Sequence, residues 1–125
     1  MKDVLYIDCC IRGEQSRTKK LAEAFLAELS QRNDISIERL TLMDEPLIPF
    51  SNGFFWQREH LLETGELNHP RFRYAHRFQK AERIVIAAPF WDLSFPALLK
   101  VYIENLCVQG ITFDCNEANG CFGVC

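Results

Sequence analysis

The chain has 125 residues, of which 48% are hydrophobic and 25% charged, so its length suits one globular domain with a single core and excludes two. Its formal net charge of −3 provides no general attraction to nucleic acid or to an anionic membrane surface, so neither is an expected partner. No stretch approaches the roughly 20 apolar residues of a membrane-spanning helix, and residues 1–10 lack the long apolar run of a secretory signal. We therefore expect a soluble, cytoplasmic protein.

Six cysteines are a large number for a chain of this length. They are Cys9, Cys10, Cys107, Cys115, Cys121 and Cys125. In a short secreted chain they would predict disulfides, whereas a reducing compartment makes free thiols the expectation. Cys9 and Cys10 are adjacent at the end of a predicted strand, which favours packing roles for both.

The first third of the chain predicts a strand, a helix and a second strand. Residues 4–7 form a short apolar run, typical of a strand that is covered on both faces. Ser16 is the predicted N-cap of the helix. The apolar residues that recur at helical spacing after it are Ala22, Phe25, Leu26 and Leu29. Residues 35–40 alternate apolar and polar side chains, which indicates a strand at a sheet edge.

Residues 41–56 predict a long connection, because Pro46, Pro49 and the Asn-Gly pair at 52–53 interrupt any regular element. This connection carries exposed aromatic residues, namely Phe50, Phe54, Phe55 and Trp56. Such side chains would suit a cover over the substrate face of a site. Ordinary surface packing explains them equally well.

The remaining elements are a helix, a strand and a helix. Residues 70–80 predict a helix with Phe72, Ala75 and Phe78 on one face. Residues 84–88 are the most continuous apolar run and predict a buried parallel strand. Ser94 precedes Phe95-Pro96 and starts the last helix. The apolar stripe of that helix contains Leu99, Tyr102, Ile103 and Leu106.

The alternation of strands and helices predicts a parallel sheet with helices on both faces. Right-handed crossovers place the edge-type second strand and the third strand on opposite sides of the first, so the strand order is 2-1-3. Ligands of open α/β sheets bind beyond the carboxyl ends of the strands where the order reverses, here between strands one and three. The loops at residues 9–18 and 89–96 are therefore the candidate ligand loops.

The first loop combines hydroxyl groups, two arginines and the start of a helix, which together suit an anion. Its candidate ligand residues are Arg12, Ser16, Arg17 and Thr18. It lacks the glycines of a dinucleotide fingerprint or of a nucleoside-triphosphate loop, which favours a terminal phosphate held by side chains and amides. A simple capped helix beside solvated arginines is the alternative.

The second loop places Phe90, Trp91 and Asp92 directly after the apolar third strand. Aromatic side chains at this position can line a flat, mostly apolar cofactor while backbone amides bond its polar edge. The alternative is a hydrophobic plug over the end of the sheet. Together the two loops suggest one ligand, with its phosphate at the first loop and its ring at the second.

These features resemble the flavodoxin-like NAD(P)H dehydrogenases (quinone), which include the FMN-dependent NADH azoreductases. The resemblance rests on VLYIDCCIRGEQSRTKKLAEAFL at residues 4–26, ERIVIAAPFWDLSFPALLKVYIENL at 82–106 and GITF at 110–113. It implies a flavodoxin-like doubly wound parallel sheet, FMN as cofactor and NADH or NADPH as co-substrate. It also implies a quinone or azo acceptor and a homodimer.

The resemblance implies a set of cofactor-binding residues and no catalytic side chain. The set comprises Cys9, Arg12, Ser16, Arg17 and Thr18 in the first loop and Pro89, Phe90, Trp91, Asp92 and Leu93 in the second. Ser16, Arg17 and Thr18 would hold the FMN phosphate. Relatives often carry Tyr-Asn where this chain has Trp91-Asp92, and an acid there would disfavour the anionic reduced flavin.

The resemblance also implies a longer fold, because relatives continue past residue 113 with two strands, a further flavin loop and a helix. A sheet that ended at the third strand would leave a long apolar edge unpaired. We therefore expect a chain that lacks its C-terminal third or is completed by a partner. A flavin-binding electron-transfer module without a substrate pocket, or an inactive remnant, would fit the same residues.

Neither the histidines nor the tail cysteines favour a metal site. His60, His69 and His76 are nine and seven residues apart and do not share a helical face well. The four cysteines from Cys107 to Cys125 lack the tight pairs usual for zinc or iron–sulfur ligation. We expect the tail cysteines to be small packing residues left exposed by the missing part of the fold.

Overall fold

The computed structural model describes residues 1–125 and contains five strands and four α-helices. In chain order they are β1 (Lys2–Asp8), α1 (Arg17–Arg32), β2 (Ile35–Thr41), α2 (Asn52–Glu63), α3 (Arg73–Lys80), β3 (Arg83–Ala87), α4 (Ala97–Leu106), β4 (Phe113–Asn116) and β5 (Gly120–Gly123). A 3-10 turn at Pro70–Phe72 leads into α3. None of the helices combines the length and the apolar character that crossing a membrane requires.

The chain forms two compact units. Residues 1–47 and 81–100 make up the first, and residues 48–80 and 101–125 make up the second. The first unit contains a three-stranded parallel sheet, and the second contains a two-stranded antiparallel hairpin. That the whole chain behaves as one domain stays a prediction.

The sheet has the strand order β2-β1-β3, as predicted. Val4 of β1 is opposite Ile37 of β2 on one side and Arg83 of β3 on the other, and both pairings are parallel. β1 is therefore the central strand, and its residues from Val4 onward are buried. The continuous apolar run of β1 follows from this position, because both of its faces are covered.

One core cluster joins the sheet to α1. Its buried members are Val4, Tyr6, Cys10, Ala22, Leu26 and Ala87. Ser16 caps α1 as predicted, since its Oγ accepts a hydrogen bond from the Lys19 amide at 3.1 Å. The expectation that Phe25 joins the buried stripe is wrong, because its side chain is 53% exposed. Successive helix residues are about 100° apart, so the stripe centred on Ala22 and Leu26 turns Phe25 away from the sheet.

β3 is an edge strand, and the expectation that it is buried is wrong. Only Ala87 is buried, and Ile86 is 49% exposed. β3 pairs with β1 on one side and with no strand on the other. The unpaired apolar edge that the sequence predicts is therefore present in this chain.

The structure places a helix where the sequence predicts only a connection. α2 begins at Asn52, and the amide of Phe55 donates to the carbonyl of Ser51 at 2.7 Å in its first turn. Pro46 and Pro49 precede the helix and Gly53 lies in its first turn, so the helix interior contains no glycine or proline. Trp56 is exposed as predicted, but the expectation that Phe50, Phe54 and Phe55 are exposed is wrong, because all three are half-buried. The covering role of these aromatics stays a prediction.

The buried Arg71 connects α2 to the turn before α3. Its Nη1 donates to the carbonyl of Phe54 and, at 3.1 Å, to Oε1 of Gln57. Its guanidinium carbon lies 3.6 Å from the centre of the Phe54 ring, as in a stacked cation–π pair. Burial, together with the nearby Arg58 charge, lowers the pKa of Arg71.

A cross-strand disulfide closes the hairpin of the second unit. Cys115 of β4 is directly opposite Cys121 of β5, and the two are bonded. Free thiols were the expectation for all six cysteines, and for this pair it is wrong. The antiparallel register brings together two positions that the sequence spacing alone does not relate.

Tyr6 allows a test of the core energetics. Its ring is buried and its hydroxyl has no hydrogen-bond partner. We expect Tyr6→Phe to raise the free energy of unfolding by about 1 kcal/mol, because it removes a buried polar group that bonds nothing. Urea denaturation measures this. Leu26→Ala, which should cost about 2–5 kcal/mol, is the control, and a comparable loss in Tyr6→Phe would contradict the assignment.

Candidate functional site

The pairing of β1 with β3 brings the two candidate loops to one edge of the sheet. Asp8 is opposite Ala87 in the register, and the Cys9 amide donates to the Ala87 carbonyl at 2.8 Å. The Cys10 thiol lies 3.6 Å from the same carbonyl oxygen. The segments after both strands therefore start side by side at the carboxyl ends, as the predicted topology requires.

The first loop is a tight reversal that leads into α1. The Gly13 amide donates to the Cys10 carbonyl, and the Ser16 amide donates to the Gly13 carbonyl, both at 2.9 Å. Gly13 has a φ of 59°, which glycine adopts without the steric cost that a Cβ would add. The loop thereby delivers Ser16 to the N-terminus of the helix.

The start of α1 gathers the predicted anion ligands. The buried Ser16 uses its Oγ as an acceptor for the helix cap, and its hydroxyl is also hydrogen-bonded to the Cys10 side chain. Arg17 and Thr18 lie in the first turn, where helix N–H groups lack intrahelical partners. Arg17 is exposed and Thr18 half-buried, and Arg12 is exposed at the start of the preceding turn. The binding roles of these residues stay predictions.

Sequence reasoning missed two charged groups beside this loop. Asp8 is buried, its Oδ1 accepts from the Cys10 amide at 2.8 Å, and its Oδ2 lies 3.9 Å from the Lys19 ammonium. Lys19 also bonds Glu14 at 3.3 Å, and this bond raises the pKa of Lys19. The signal was present, since Asp8 directly follows the apolar run of β1 and Lys19 is in the first turn of the helix.

A cleft of about 250 Å³ lies at the start of α1. Its lining consists of Gly13, Glu14, Ser16, Lys19, Lys20 and Glu23. Arg39 binds Glu23 through both guanidinium arms, at 2.6 and 2.9 Å, and the pair lowers the pKa of Glu23. The cleft thus contains two lysines and two carboxylates, one of which is already paired with Arg39.

Cys9 and Cys10 are fully buried, and the packing role predicted for both is confirmed. Burial raises the pKa of Cys9 to about 11, and the neighbouring Cys10 and Asp8 act in the same direction. Burial also raises the pKa of Cys10. Both thiols are therefore protonated near neutral pH, the form that does not react as a nucleophile.

The second loop contains a two-residue turn. The Trp91 amide donates to the Ser94 carbonyl and the Ser94 amide donates to the Trp91 carbonyl, both at 2.8 Å. Asp92 and Leu93 form the tip with φ values of 49° and 65°. The left-handed region is uncommon for a residue such as leucine and marks local strain. The turn leaves the amides of Asp92 and Leu93 outside its own hydrogen bonds.

The side chains of this loop are open to solvent. Phe90 is 77% exposed and Leu93 is 89% exposed, whereas Pro89 is half-buried. A hydrophobic plug over the sheet would bury these side chains, so their exposure argues against that alternative. An apolar cleft of about 390 Å³ begins here. Its lining includes Ile86, Ala88, Pro89, Phe90, Ser94 and Phe95.

No group of three or more His, Cys, Asp or Glu side chains comes together in the way a metal ion needs. Two of the three histidines are engaged in local bonds instead. His69 Nδ1 accepts from the Arg71 amide at 3.1 Å, and His76 Nε2 lies 2.7 Å from the Leu67 carbonyl oxygen.

Comparison with protein families gives a match over nearly the whole chain. The family model described as having a flavodoxin-like fold matches residues 2–123. Its extent includes both candidate loops.

Curated relatives are similar along the same length. FMN-dependent NADH:quinone oxidoreductase 2 of Clostridium acetobutylicum is 40% identical over 128 residues, which cover all of this chain and 62% of the relative. The FMN-dependent NADH:quinone oxidoreductase of Clostridium beijerinckii is 38% identical over 90% of this chain and 58% of the relative. The chain thus spans about three fifths of the length of the curated relatives it matches.

A solved structure has the same fold. The azoreductase from Bacillus anthracis str. Sterne superimposes with a TM-score of 0.85 and 27% sequence identity, over 99% of this chain and 64% of the azoreductase. The fold of this chain, which includes the strand order β2-β1-β3, is therefore similar to that of a protein with only 27% sequence identity.

The strained turn predicts a stabilising substitution. We expect Leu93→Gly to raise the free energy of unfolding by about 1 kcal/mol, because glycine relieves the left-handed strain and the exposed side chain contributes no packing. Urea denaturation measures this. Leu21→Gly is the matched control, since Leu21 is an exposed leucine in the ordinary backbone of α1 and should lose about 1 kcal/mol. Equal decreases in the free energy of unfolding of both variants would contradict the assignment of backbone strain to Leu93.

The buried Cys9 thiol predicts a loss of stability at alkaline pH. Its pKa of about 11 in the folded state lies above the ordinary value of 9.0, so its contribution is complete below pH 9 and is lost as the pH rises toward 11. We expect the free energy of unfolding to fall across this interval. In Cys9→Ala the fall should be shallower, whereas Cys107→Ala, at an exposed site, should match the parent. Identical slopes in all three proteins would exclude the effect.

Proposed function

Because the chain belongs to the family with a flavodoxin-like fold, we propose that it is an FMN-dependent oxidoreductase which transfers hydride from NADH or NADPH to a quinone or azo acceptor. The curated relatives with 40% and 38% identity are FMN-dependent NADH:quinone oxidoreductases, and the similar solved structure is an azoreductase. The chain covers only part of each, so activity, substrates and partners are proposed for it rather than taken over.

One observation carries the proposal. The 2.8 Å bond from the Cys9 amide to the Ala87 carbonyl fixes the starts of both candidate loops next to each other. One loop supplies the start of a helix with hydroxyl and guanidinium groups, and the other supplies exposed aromatic and apolar side chains. A ligand with a phosphate at one end and a flat ring at the other matches this pair of surfaces.

The first loop fits a phosphate through its donors. Ser16 and Thr18 contribute hydroxyl groups and Arg17 an exposed guanidinium, all at a helix N-terminus whose dipole favours an anion. Asp8 and Glu14 weaken the local positive potential, and Lys19, which is close to both carboxylates, offsets one of these two charges. The donors of Ser16, Arg17 and Thr18 are then left to the phosphate.

The second loop fits a flat ring through its apolar side chains and its amides. Phe90 and Trp91 are exposed beside an apolar cleft, with Pro89 at the start of the loop. The amides of Asp92 and Leu93 take no part in the turn and are available to the polar edge of a ring. The left-handed backbone at these two residues holds the amides in a fixed place before any ligand arrives.

FMN, when bound, would supply the hydride chemistry. The residues of this chain would bind and orient it: Ser16, Arg17 and Thr18 at the phosphate, and the loop from Pro89 to Leu93 at the ring. Cys9 would support the loop from below as a buried neutral thiol. No side chain has to act as a nucleophile or as a general base.

We propose a homodimer and a cytoplasmic location as well. Reduced nicotinamide dinucleotides are compounds of the cytoplasm, which supports the location. The exposed apolar side chains of the second loop support an assembly, because a partner subunit would remove them from water.

The function is tested with the purified full chain and FMN. We expect FMN fluorescence to be quenched on titration, and NADH to be oxidised when a quinone or an azo dye is added. Failure to bind FMN would refute the proposal. FMN binding without NADH oxidation would favour a flavin-binding electron-transfer module that has no substrate pocket of its own.

Ser16 and Arg17 allow the phosphate site to be tested separately. Ser16→Ala combined with Arg17→Ala should weaken FMN binding by a few kcal/mol, because charge-assisted contacts contribute about 1.5–3 kcal/mol each. Ser16→Asp should keep the helix cap, since aspartate is a good N-cap residue, but should repel the phosphate. Fluorescence titration measures the affinity of each variant.

Arg32→Ala is the matched control, because Arg32 is an exposed arginine at the other end of α1, paired with Glu28. It should leave the affinity for FMN unchanged. Full affinity in Ser16→Asp, with its helix content retained in circular dichroism, would mean that the phosphate binds elsewhere.

A further inference from the structure

The hairpin of the second unit carries a cysteine pair that the flavin chemistry does not use. Cys115 and Cys121 occupy directly opposite positions on β4 and β5, and their disulfide closes a loop with a sequence separation of six. Each strand has only four residues. A two-stranded hairpin of this length is marginal in water on its own, so the disulfide is a principal tie between the strands.

Reagents in solution can reach this disulfide. Every residue of β5, including Cys121, is exposed, and Cys115 on β4 is half-buried. Neither cysteine belongs to the core cluster of the second unit, which is built on Leu61, Phe72, Ala75, Val108 and Ile111. Opening the bond therefore requires no change in that core.

The disulfide restricts the unfolded chain less than a cross-link over a long loop would. The entropy gained from a cross-link grows with the length of the loop that it closes, and this loop is short. A disulfide that resists reduction relies on long-loop closure or on burial. This one has neither support.

The second unit also contains two exposed free thiols. They are Cys107 and Cys125. The Cys125 thiol lies 3.7 Å from the carbonyl oxygen of Thr112, the residue that precedes β4, and the Val124 amide bonds the same oxygen at 3.1 Å. The accessible cysteine sulfur atoms of the chain are thus all in the second unit, because Cys9 and Cys10 are buried in the first.

We propose that Cys115 and Cys121 form a redox-active dithiol–disulfide site whose reaction partners are low-molecular-weight thiols and their disulfides. The exchange opens and closes the hairpin without involving the flavin. In a reducing cytoplasm a lasting structural disulfide is rare, and those that form are usually transient. An exposed bond across a short hairpin is of the transient kind.

The exchange proceeds in two balanced steps. The thiolate of a small thiol attacks the exposed Cys121 sulfur, the disulfide bond breaks, and its electron pair leaves with Cys115, which takes up a proton. A second small thiolate then attacks the outer sulfur of the mixed disulfide and releases Cys121, which is protonated in turn. Two thiols are oxidised to one disulfide, and the protein gains two electrons and two protons.

Reduction should loosen a defined part of the chain. In β4 the Cys115 amide donates to Oδ1 of the preceding Asp114 at 2.8 Å. Asp114 is itself bonded by Gln109 at 3.3 Å. β5 pairs with β4 alone, so we expect residues 120–123 to exchange their amide hydrogens faster after reduction.

The test is a redox titration of the full chain in glutathione buffers, with maleimide labelling of the native protein and intact-mass measurement. The oxidised chain should take up two labels, at Cys107 and Cys125, and the reduced chain four. The fraction of reduced protein should rise from one tenth to nine tenths as the quotient of squared reduced-glutathione concentration over oxidised-glutathione concentration increases about 80-fold. This is the dependence expected for a two-electron couple. Cys9 and Cys10 should stay unlabelled until denaturation, which verifies that the fold is intact.

Two variants sharpen the result. Cys115→Ser should trap a glutathione adduct on Cys121, and Cys125→Ser should leave the midpoint within a factor of two of the parent. If the chain still takes up only two labels in millimolar reduced glutathione, the disulfide is structural. If it takes up four labels under full oxidation, the Cys115–Cys121 disulfide does not form. Either result overturns the proposal, and neither bears on the flavin site, because no flavin or nicotinamide is present.

Discussion

Parallel pairing between β1 and β3 is the constraint on which the candidate site depends. The bond from the Cys9 amide to the Ala87 carbonyl continues the ladder one residue beyond β1, so the two chain segments diverge only after they have left the sheet. The burial of β1 on both faces stabilises this geometry, because a change of register would turn its apolar side chains to the wrong face. The position of each loop is thus fixed by the core rather than by the loop itself.

The two loops reach their shapes by different physical means. The first loop reverses at Gly13, where a positive φ costs little, and then ends in a capped helix. The second places Asp92 and Leu93 in the same left-handed region, where a leucine side chain is unfavourable. Strain that persists at an exposed turn is typical of a segment whose conformation serves a ligand. The exposure of Phe90 agrees with a ligand-binding role, because contact with water is unfavourable for an apolar side chain and a ligand would remove it.

Patterns that are local in the chain could be predicted from the sequence, and features that depend on distant neighbours could not. Ser16 was predictable as a helix cap because its side chain bonds an amide only three residues along the sequence. The strand order followed from the handedness of short crossovers. The burial of Ile86 was wrongly predicted because an apolar run in the sequence does not reveal which other elements pack against it. The helix from Asn52 was missed because its breaking residues stand in its first turn. The disulfide of Cys121 depends on a register that spacing does not encode.

The buried Arg71 limits how the second unit can vary. A guanidinium stays charged at every pH at which proteins remain folded, so the joint between α2 and the turn before α3 has no acid-triggered or base-triggered release. A lysine would retain the charge but would lose the planar Nη1 group that donates to both Phe54 and Gln57, and the flat surface that stacks on the ring. Substitutions tolerated at Arg71 and Phe54 are therefore linked, and the two positions are expected to change together in evolution.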